Sequence, residues 1–129
     1  MNTEAAIMTT EVVAKKLVQL CREGKNVNAI EELYSDKIIS LEPKGSQAAE
    51  RTEGKAAVLG KNQQWLSMVE QIHEVHISDA VVSGNYFSCA MDMEITMKGI
   101  GRTTMNEICV YEVQDGKIVF EQFFHSIHQ

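Results

Sequence analysis

A glutamate at the end of a predicted strand is the first residue of this chain that could carry out chemistry. Glu42 closes the run Ile38–Glu42, and Pro43 then ends the strand because proline cannot donate to a sheet ladder. This position suits the mouth of a pocket. A carboxyl group beside apolar walls has a raised pKa and is suited to general acid or base catalysis. The alternative is a solvated glutamate at a strand end.

A second carboxylate lies in a strongly alternating run. In Met105–Val113 every second residue shares a face, so Glu107 stands on the same face as Tyr111. If that face is interior, Glu107 must be paired, protonated or functional, because an unpaired buried charge is too costly. If the face lies at an open rim, Glu107 is an ordinary solvated acid.

The last alternating run carries a histidine near its end. Alternation places Val119, Glu121, Phe123 and His125 on one side, and Ile118, Phe120, Gln122 and Phe124 on the other. Both sides are half apolar, so alternation alone does not choose the interior one. His125 could act as a proton shuttle or could be a histidine at a sheet edge. Strand rise separates it from Glu121 by about 13 Å, so the two can share a pocket without a direct hydrogen bond.

Three further residues could contact a ligand. Asn62 and Trp65 lie on the apolar stripe of a helix predicted from Gly54 or Lys55 to Met68, and Met91 lies on the apolar face of a strand. Methionine suits an adaptable pocket wall and Trp65 could close a pocket mouth, although core packing also accounts for both residues. Asn62 could orient a ligand or satisfy a backbone group.

Composition limits the classes of partner. The 129 residues are 44% apolar and 23% charged, which predicts one globular domain over 1–129. The net charge of −6 and the scattered basic residues predict no nucleic-acid partner and no membrane surface. No apolar run is long enough to span a bilayer, and the N-terminus lacks a signal-peptide pattern. We therefore expect a cytoplasmic protein.

The cysteines and short motifs predict neither a disulfide framework nor a metal site. Cys21, Cys89 and Cys109 are odd in number and widely spaced, which is typical of reduced cysteines in a core. The sequence contains no Cys-x-x-Cys, glycine-rich phosphate loop, nucleophile elbow or zinc-binding helix motif. We expect no metal and no nucleophilic serine or cysteine.

The predicted elements are helix, helix, strand, helix and then four long antiparallel strands. The first helix begins near Thr10, which would cap it, and the second carries a capping-box pattern at Asn28 and Glu31. The four long runs are Ile72–Ser83, with an irregularity near Ser78-Asp79, then Tyr86–Met97, Arg102–Val113 and Lys117–Ser126. Asp115-Gly116 joins the last two runs and is a strong hairpin signal.

These elements predict an α+β fold. Three N-terminal helices would pack on one face of a strongly curved, mostly antiparallel sheet of about five strands and form a cone, because three helices cannot cover both faces. The other face is free to meet a partner, most simply a second copy, so we expect a homodimer.

Two stretches, Leu33–Ser46 and Tyr111–Val119, carry a family resemblance that extends over nearly the whole chain. The first resembles the ketosteroid isomerase stretch that ends in acid-Pro-x-Gly, and the second is similar to the penultimate hairpin of the nuclear transport factor 2-like superfamily. This superfamily also includes scytalone dehydratase and the SnoaL-like polyketide cyclases. It contains enzymes, carriers and domains without known chemistry.

The resemblance implies roles for individual residues. The isomerase's proton-abstracting acid falls on Glu42, and its oxyanion-hole acid falls near Glu107 if one residue is allowed for a longer hairpin. Its oxyanion tyrosine falls on Leu17, which has no hydroxyl group and therefore argues against steroid isomerisation itself. The family hairpin also implies that Tyr111 faces the cone interior, and favours the side of the last strand that holds Glu121 and His125.

Two classes of function follow. The first is a small isomerase, cyclase or dehydratase that moves a proton next to a carbonyl group, with Glu42, Glu107 and His125 as catalytic residues. Its apolar ligand would contact a wall formed by Asn62, Trp65, Met91, Tyr111, Glu121 and Phe123. No cofactor is required, because enolisation needs only a base and a hydrogen-bond donor. The alternative is a ligand-binding or dimeric interaction module without catalysis.

Overall fold

The computed structural model describes residues 8–46 and 48–126. The described residues form three helices and seven strands: α1 (Thr10–Arg22), α2 (Asn26–Leu33), β1 (Tyr34–Leu41), β2 (Arg51–Glu53), α3 (Lys55–Met68), β3 (Val69–Ile77), β4 (Val81–Ser83), β5 (Tyr86–Met97), β6 (Gly101–Gln114) and β7 (Lys117–Phe124). None of the helices in these ranges is long and apolar enough to cross a membrane.

All seven strands form one curled, open sheet in the order β2-β1-β7-β6-β5-β3, with the short β4 also paired to β5. Every pairing is antiparallel except the parallel one between β1 and β7. The predicted α+β class and cone are confirmed. The expected number of about five strands is wrong, because β2 and β4 contain only three residues each and give little alternation signal.

The helix ends differ from the predicted ones in two places. Thr9, rather than Thr10, caps α1, since its hydroxyl accepts a hydrogen bond from the Val12 backbone N–H at 3.2 Å. The predicted capping box at Asn28 and Glu31 is wrong. The second helix begins two residues earlier, at Asn26, and its preceding residue makes no side-chain cap.

The core lies between the helices and the inward face of the sheet. Leu17 on α1 and the three cysteines are buried in it, and all three cysteines are free, as expected. The irregularity predicted at Ser78-Asp79 separates β3 from β4. There the Ser78 hydroxyl accepts a hydrogen bond from the Ala90 backbone N–H at 2.8 Å.

The last hairpin has the predicted turn and one bulge that the sequence does not reveal. Asp115 and Gly116 both have positive φ, 51° and 76°, as a type I′ turn requires. Glu112 lies opposite Phe120 but Val113 lies opposite Ile118, so one extra residue stands in β7 between the two pairs. Ile118 is consequently buried in the core, and its predicted side of the strand is wrong.

Candidate functional site

Six side chains form a continuous polar chain from the core to the residues that follow β1 and β7. In order they are Tyr34, Glu121, Ser40, Lys61, Glu42 and His125. Four of them lie on β1, α3 and β7, and the other two, Glu42 and His125, follow β1 and β7. The parallel pairing of β1 with β7 sets Ser40 directly opposite Glu121, and α3 packs across β1.

The inner half of this polar chain centres on a fully buried carboxyl group. Glu121 is 2% exposed, and it accepts hydrogen bonds from the Tyr34 hydroxyl and from the Ser40 hydroxyl, the latter at 2.7 Å. Burial raises the pKa of Glu121, while the two hydroxyl donors and the charge of Lys61 oppose the rise. We call Tyr34, Ser40 and Glu121 the buried end.

The outer half centres on an ion pair. Lys61 Nζ donates to the Ser40 hydroxyl at 2.8 Å and to Glu42 Oε2 at 3.1 Å. The side chains of Lys61 and Glu42 are 20% and 13% exposed, so this pair is far less solvated than an ordinary surface pair. His125 Nε2 lies 3.8 Å from Glu42 Oε1. We call Glu42, Lys61, His125 and their neighbour Glu107 the groove end.

Glu107 stands on the inward face of β6, opposite Met91 of β5, and is half-buried. Burial raises the pKa of its carboxyl group to about 7, and the negative charge of Glu42 adds to this rise. A hydrogen bond donated by the Cys109 thiol at 3.6 Å and the proximity of His125 act in the opposite direction. Near neutral pH, Glu107 is therefore present in both protonated and ionised forms.

Two open grooves meet at His125. The β1–β7 groove, of about 520 Å³, is lined by Leu41, Glu42, Pro43, Lys44, Glu50, Arg51, Gln122, Phe123, Phe124 and His125. The β5–β6 groove, of about 400 Å³, is lined by Ala90, Asp92, Asn106, Glu107, Ile108, Phe124, His125 and Ser126. Glu42 and Glu107 thus lie on either side of the histidine. Both volumes are within the range of small-molecule sites, roughly 300–1,000 Å³.

The structure brings together the three residues predicted to be catalytic, Glu42, Glu107 and His125. Phe123 lines the β1–β7 groove together with Glu42 and His125. Two of the other predicted wall residues, Tyr111 and Glu121, lie deeper. Tyr111 is 2% exposed and stacked on Phe87 with ring centroids 4.7 Å apart, so its ring belongs to the core. Glu121 forms the buried end.

Met91, Trp65 and Asn62 are partly buried and do not line either groove of the described chain. Met91 packs against the core. Asn62 Oδ1 is buried and has no hydrogen-bond partner among residues 8–46 and 48–126. The alternative that Asn62 satisfies a backbone group therefore finds no support at this oxygen.

Sequence reasoning missed Tyr34, Ser40 and Lys61. Lys61 lies three residues after the buried Val58, so it shares the face of α3 that packs against β1. This three-residue spacing indicates an inward position for Lys61, but a lysine beside polar neighbours is normally solvated. Tyr34 and Ser40 contact Glu121 across more than eighty residues of sequence, and no local pattern indicates such a contact.

Within the described parts of the chain, no group of three or more His, Cys, Asp or Glu side chains is arranged to hold a metal ion.

Comparison with known proteins gives one sequence-level and several structural similarities. The model of the SnoaL-like domain matches residues 8–125. No curated protein matches the chain. A protein from Mesorhizobium loti assigned to the SnoaL-like polyketide cyclases is 31% identical, with 91% of this chain and 99% of that chain covered and a TM-score of 0.84.

Two more distant structures share the fold. An NTF2-like protein of unknown function from Burkholderia pseudomallei K96243 is 10% identical, with 92% of each chain covered and a TM-score of 0.76. A protein with a ketosteroid isomerase-like fold from Catenulispora acidiphila DSM 44928 is 18% identical, with 93% of this chain and 88% of that chain covered and a TM-score of 0.71.

Proposed function

Because the chain belongs to the SnoaL-like family of the nuclear transport factor 2-like superfamily, we propose that it is a small enzyme of the isomerase, cyclase or dehydratase type that moves a proton next to a carbonyl group. The predicted resemblance to that superfamily is confirmed. The observation that carries the proposal is a pair of carboxyl groups, Glu42 and Glu107, held in different electrostatic environments on either side of His125. Two such groups can divide the roles of base and acid.

Glu42 is the proposed base. Its Oε2 accepts a hydrogen bond from Lys61 Nζ at 3.1 Å, and its Oε1 lies 3.8 Å from His125 Nε2. It also lines the β1–β7 groove, where the apolar floor includes Phe123 and Phe124. A carbonyl compound bound there would present its α-hydrogen to the carboxylate.

Glu107 is the proposed acid. With a pKa of about 7 it retains its proton in a large fraction of molecules at neutral pH, and it can then donate a hydrogen bond or a proton. His125 lies between the two grooves and within 3.8 Å of Glu42, where it can return the proton that Glu42 has accepted.

The ligand is a small apolar molecule that contains a carbonyl group. Phe123 and Phe124 offer aromatic surface in the β1–β7 groove, and Leu41 and Pro43 extend it. This substrate class follows from the base and from the apolar floor rather than from any bound molecule.

Hydrogen–deuterium exchange tests this function. Enolisable ketones and aromatic polyketides would be screened by NMR for loss of the α-hydrogen signal in heavy water, with the wild type and the Glu42→Gln variant in parallel. For any ketone that the wild type exchanges, we expect Glu42→Gln to be roughly 100-fold slower or worse. Glu74→Gln, an exposed acid on β3 that lines neither groove, is the matched control and should exchange like the wild type. Full exchange by Glu42→Gln would rule out Glu42 as the base.

A non-catalytic binding domain is the second candidate. Two observations favour it: Leu17 is buried where the isomerase resemblance requires a tyrosine, and Lys61 already pairs with Glu42. If the wild type binds members of the same screen but exchanges no α-hydrogen of any of them, the binding function is the correct one.

The outward face of the sheet supports a homodimer. Val81 on β4 and Tyr86 on β5 lie on this face, line neither groove, and are 70% and 48% exposed. Sedimentation should give twice the chain mass of 14.4 kDa for the wild type and a monomer for Val81→Glu. Ile100→Glu, exposed in the turn before β6, is the control and should remain dimeric. A monomeric wild type would contradict the dimer.

A cytoplasmic location is also proposed. All three cysteines are free and buried, which suits a reducing compartment. Fractionation of cells that produce the tagged protein would test this, and recovery outside the cytoplasm would contradict it.

A further inference from the structure

The groove end contains a lysine in direct contact with the proposed base, and we propose that Lys61 is a catalytic residue that binds the ligand oxygen on which negative charge develops. This inference rests on the proposed proton transfer by Glu42. Lys61 on α3 is then the electrophile, and the ligand is one that binds most tightly in its enolate form.

The distance between the carboxylate of Glu42 and the ammonium group of Lys61 suits enolisation. Glu42 Oε2 and Lys61 Nζ are 3.1 Å apart. When a base removes the α-hydrogen, the C–H electron pair forms the new C=C bond and the carbonyl π pair moves onto oxygen. The proton is taken from a carbon bonded directly to the carbonyl carbon, so the base and the donor to the oxygen must be neighbours. Glu42 and Lys61 meet this requirement.

Lys61 has a donor left for a ligand. An ammonium group carries three N–H donors. Ser40 and Glu42 take two of them, and no further hydrogen-bond acceptor for Nζ occurs among the described residues. Nζ also lies 5.4 Å from the ring centroid of Phe123, which lines the β1–β7 groove. Lys61 is not itself among the residues that line either groove, but 20% of its side chain is exposed beside Phe123, so a ligand on that ring can reach its Nζ.

The buried end holds this cation in place. Ser40 accepts from Lys61 and donates to Glu121, which also accepts from Tyr34. A donor fixed in this way needs little reorganisation when charge develops, and partial burial strengthens its attraction to an oxyanion. The polar chain thus has a function beyond stability, because it orients the ammonium group of Lys61.

Other donors are less well placed for this role. The Tyr111 ring is stacked in the core, and Leu17 has no hydroxyl group. Glu107 lines the other groove, beyond His125. Lys61 on the oxygen therefore leaves the proton of Glu107 available for a second position of the ligand, as an isomerisation or a dehydration requires.

Binding of 4-nitrophenol tests the inference, because its phenolate mimics an enolate and has a visible absorption that the neutral phenol lacks. At a pH below the pKa of the free phenol, we expect the wild type to bind it as the phenolate. Lys61→Met should weaken phenolate binding by roughly 100-fold, which is the usual effect of losing an oxyanion donor. Lys61→Arg should restore the phenolate spectrum. Lys98→Met, an exposed lysine in the turn between β5 and β6 that lines neither groove, is the matched control and should behave like the wild type.

Several results would overturn the inference: a wild type that binds only the neutral phenol, a wild type that does not bind the probe, or equal phenolate affinity for wild type and Lys61→Met. Circular dichroism would establish that each variant is folded. If Lys61→Met is not, Lys61→Gln replaces it, with the same expected loss and the same contradicting outcome.

Glu42→Gln separates this inference from the proposed function. Because the substitution removes a negative charge beside Lys61, we expect it to bind phenolate more tightly while losing α-hydrogen exchange. If it keeps full exchange and Lys61→Met still loses phenolate binding, the proposed base is wrong and Lys61 remains an anion-binding residue. If it loses exchange and Lys61→Met binds phenolate like the wild type, only the role of Lys61 is refuted.

Discussion

The two ends of the polar chain contrast in what surrounds them. At the buried end, both carboxyl oxygens of Glu121 accept a hydroxyl hydrogen bond, and neither Tyr34 nor Ser40 is more than 5% exposed. At the groove end, Glu42 and His125 line an open groove, Lys61 is 20% exposed beside Glu42, and Glu107 shares its environment with a second acid. Each end contains at least one carboxyl group in contact with polar side chains, but only the groove end can meet a ligand.

This difference separates stability from function. A buried carboxyl group with all its partners is costly to disturb, because each donor left behind loses its hydrogen bond inside the core. A half-exposed carboxyl group beside a like charge contributes less to the fold, but its protonation is adjustable. We therefore expect changes at the buried end to act mainly on the free energy of unfolding, and changes at the groove end to act mainly on binding and proton transfer.

Removing the buried carboxyl group should give the largest change in stability. Glu121→Ala leaves the hydroxyl groups of Tyr34 and Ser40 without an acceptor in the core, so we expect a loss of about 3 kcal/mol in the free energy of unfolding. Urea denaturation followed by circular dichroism measures it. Glu121→Gln, which keeps acceptor and donor groups, should lose less. A loss for Glu121→Ala smaller than that for Lys61→Met would remove the distinction between the two ends.

The raised pKa of Glu107 should make stability depend on pH. Between its ordinary pKa of 4.5 and the folded value of about 7, the unfolded chain releases this proton while the folded chain keeps it. Stability therefore falls as pH rises through this window, by roughly 3 kcal/mol at most from this group. Thermal or urea unfolding of Glu107→Gln across the window should show a correspondingly smaller decline.

Glu74→Gln, an exposed acid on β3, is the control for this measurement and should follow the wild type. An identical pH dependence for Glu107→Gln and the wild type would mean that Glu107 is not held in a desolvated environment.

The ion pair at the groove end should have a modest coupling energy. A double-mutant cycle on Lys61→Met and Glu42→Gln should give about 1 kcal/mol, because the pair is mostly shielded from water. The exposed pair of Lys16 and Glu32, 3.7 Å apart, is the comparison and should give close to zero. Equal coupling in both pairs would show that the groove end is as solvated as the surface.

Replacing an unpartnered polar group should stabilise the fold slightly. Since Oδ1 of Asn62 is buried without a partner in the described chain, Asn62→Leu should raise the free energy of unfolding by about 1 kcal/mol. Gln63→Leu, the exposed neighbour on the same helix, is the control and should change stability little. A destabilised Asn62→Leu would indicate that this side chain makes a structural hydrogen bond.

The fold was predictable because its signals are local. The strand Tyr86–Met97 has the predicted bounds, since its alternation is uninterrupted. Asp-Gly is one of the few dipeptides that favour a type I′ turn, and Asp115 and Gly116 both have the positive φ of that turn. The bulge that buries Ile118 was not predictable. A single extra residue in a strand changes the pairing register without altering the composition on either side.

The site was predictable only in part. Glu42, Glu107 and His125 followed from alternation and from a family resemblance, and the structure brings them together. Lys61 did not follow, because its role depends on β1 passing beneath α3, which is a tertiary contact. The buried end depends on the parallel pairing of β1 with β7, whose members are more than eighty residues apart. Sequence patterns report which face a residue occupies, but not which distant residue faces it.

The protonation of Glu107 tests the account most directly. A carboxyl titration by NMR of the wild type and of Glu42→Gln would follow this group in both backgrounds. We predict a pKa of about 7 for Glu107 in the wild type and a lower value in Glu42→Gln, because the nearby negative charge is then absent. A wild-type value near 4.5, unchanged by Glu42→Gln, would contradict the account, since the two acids would then be solvated and independent.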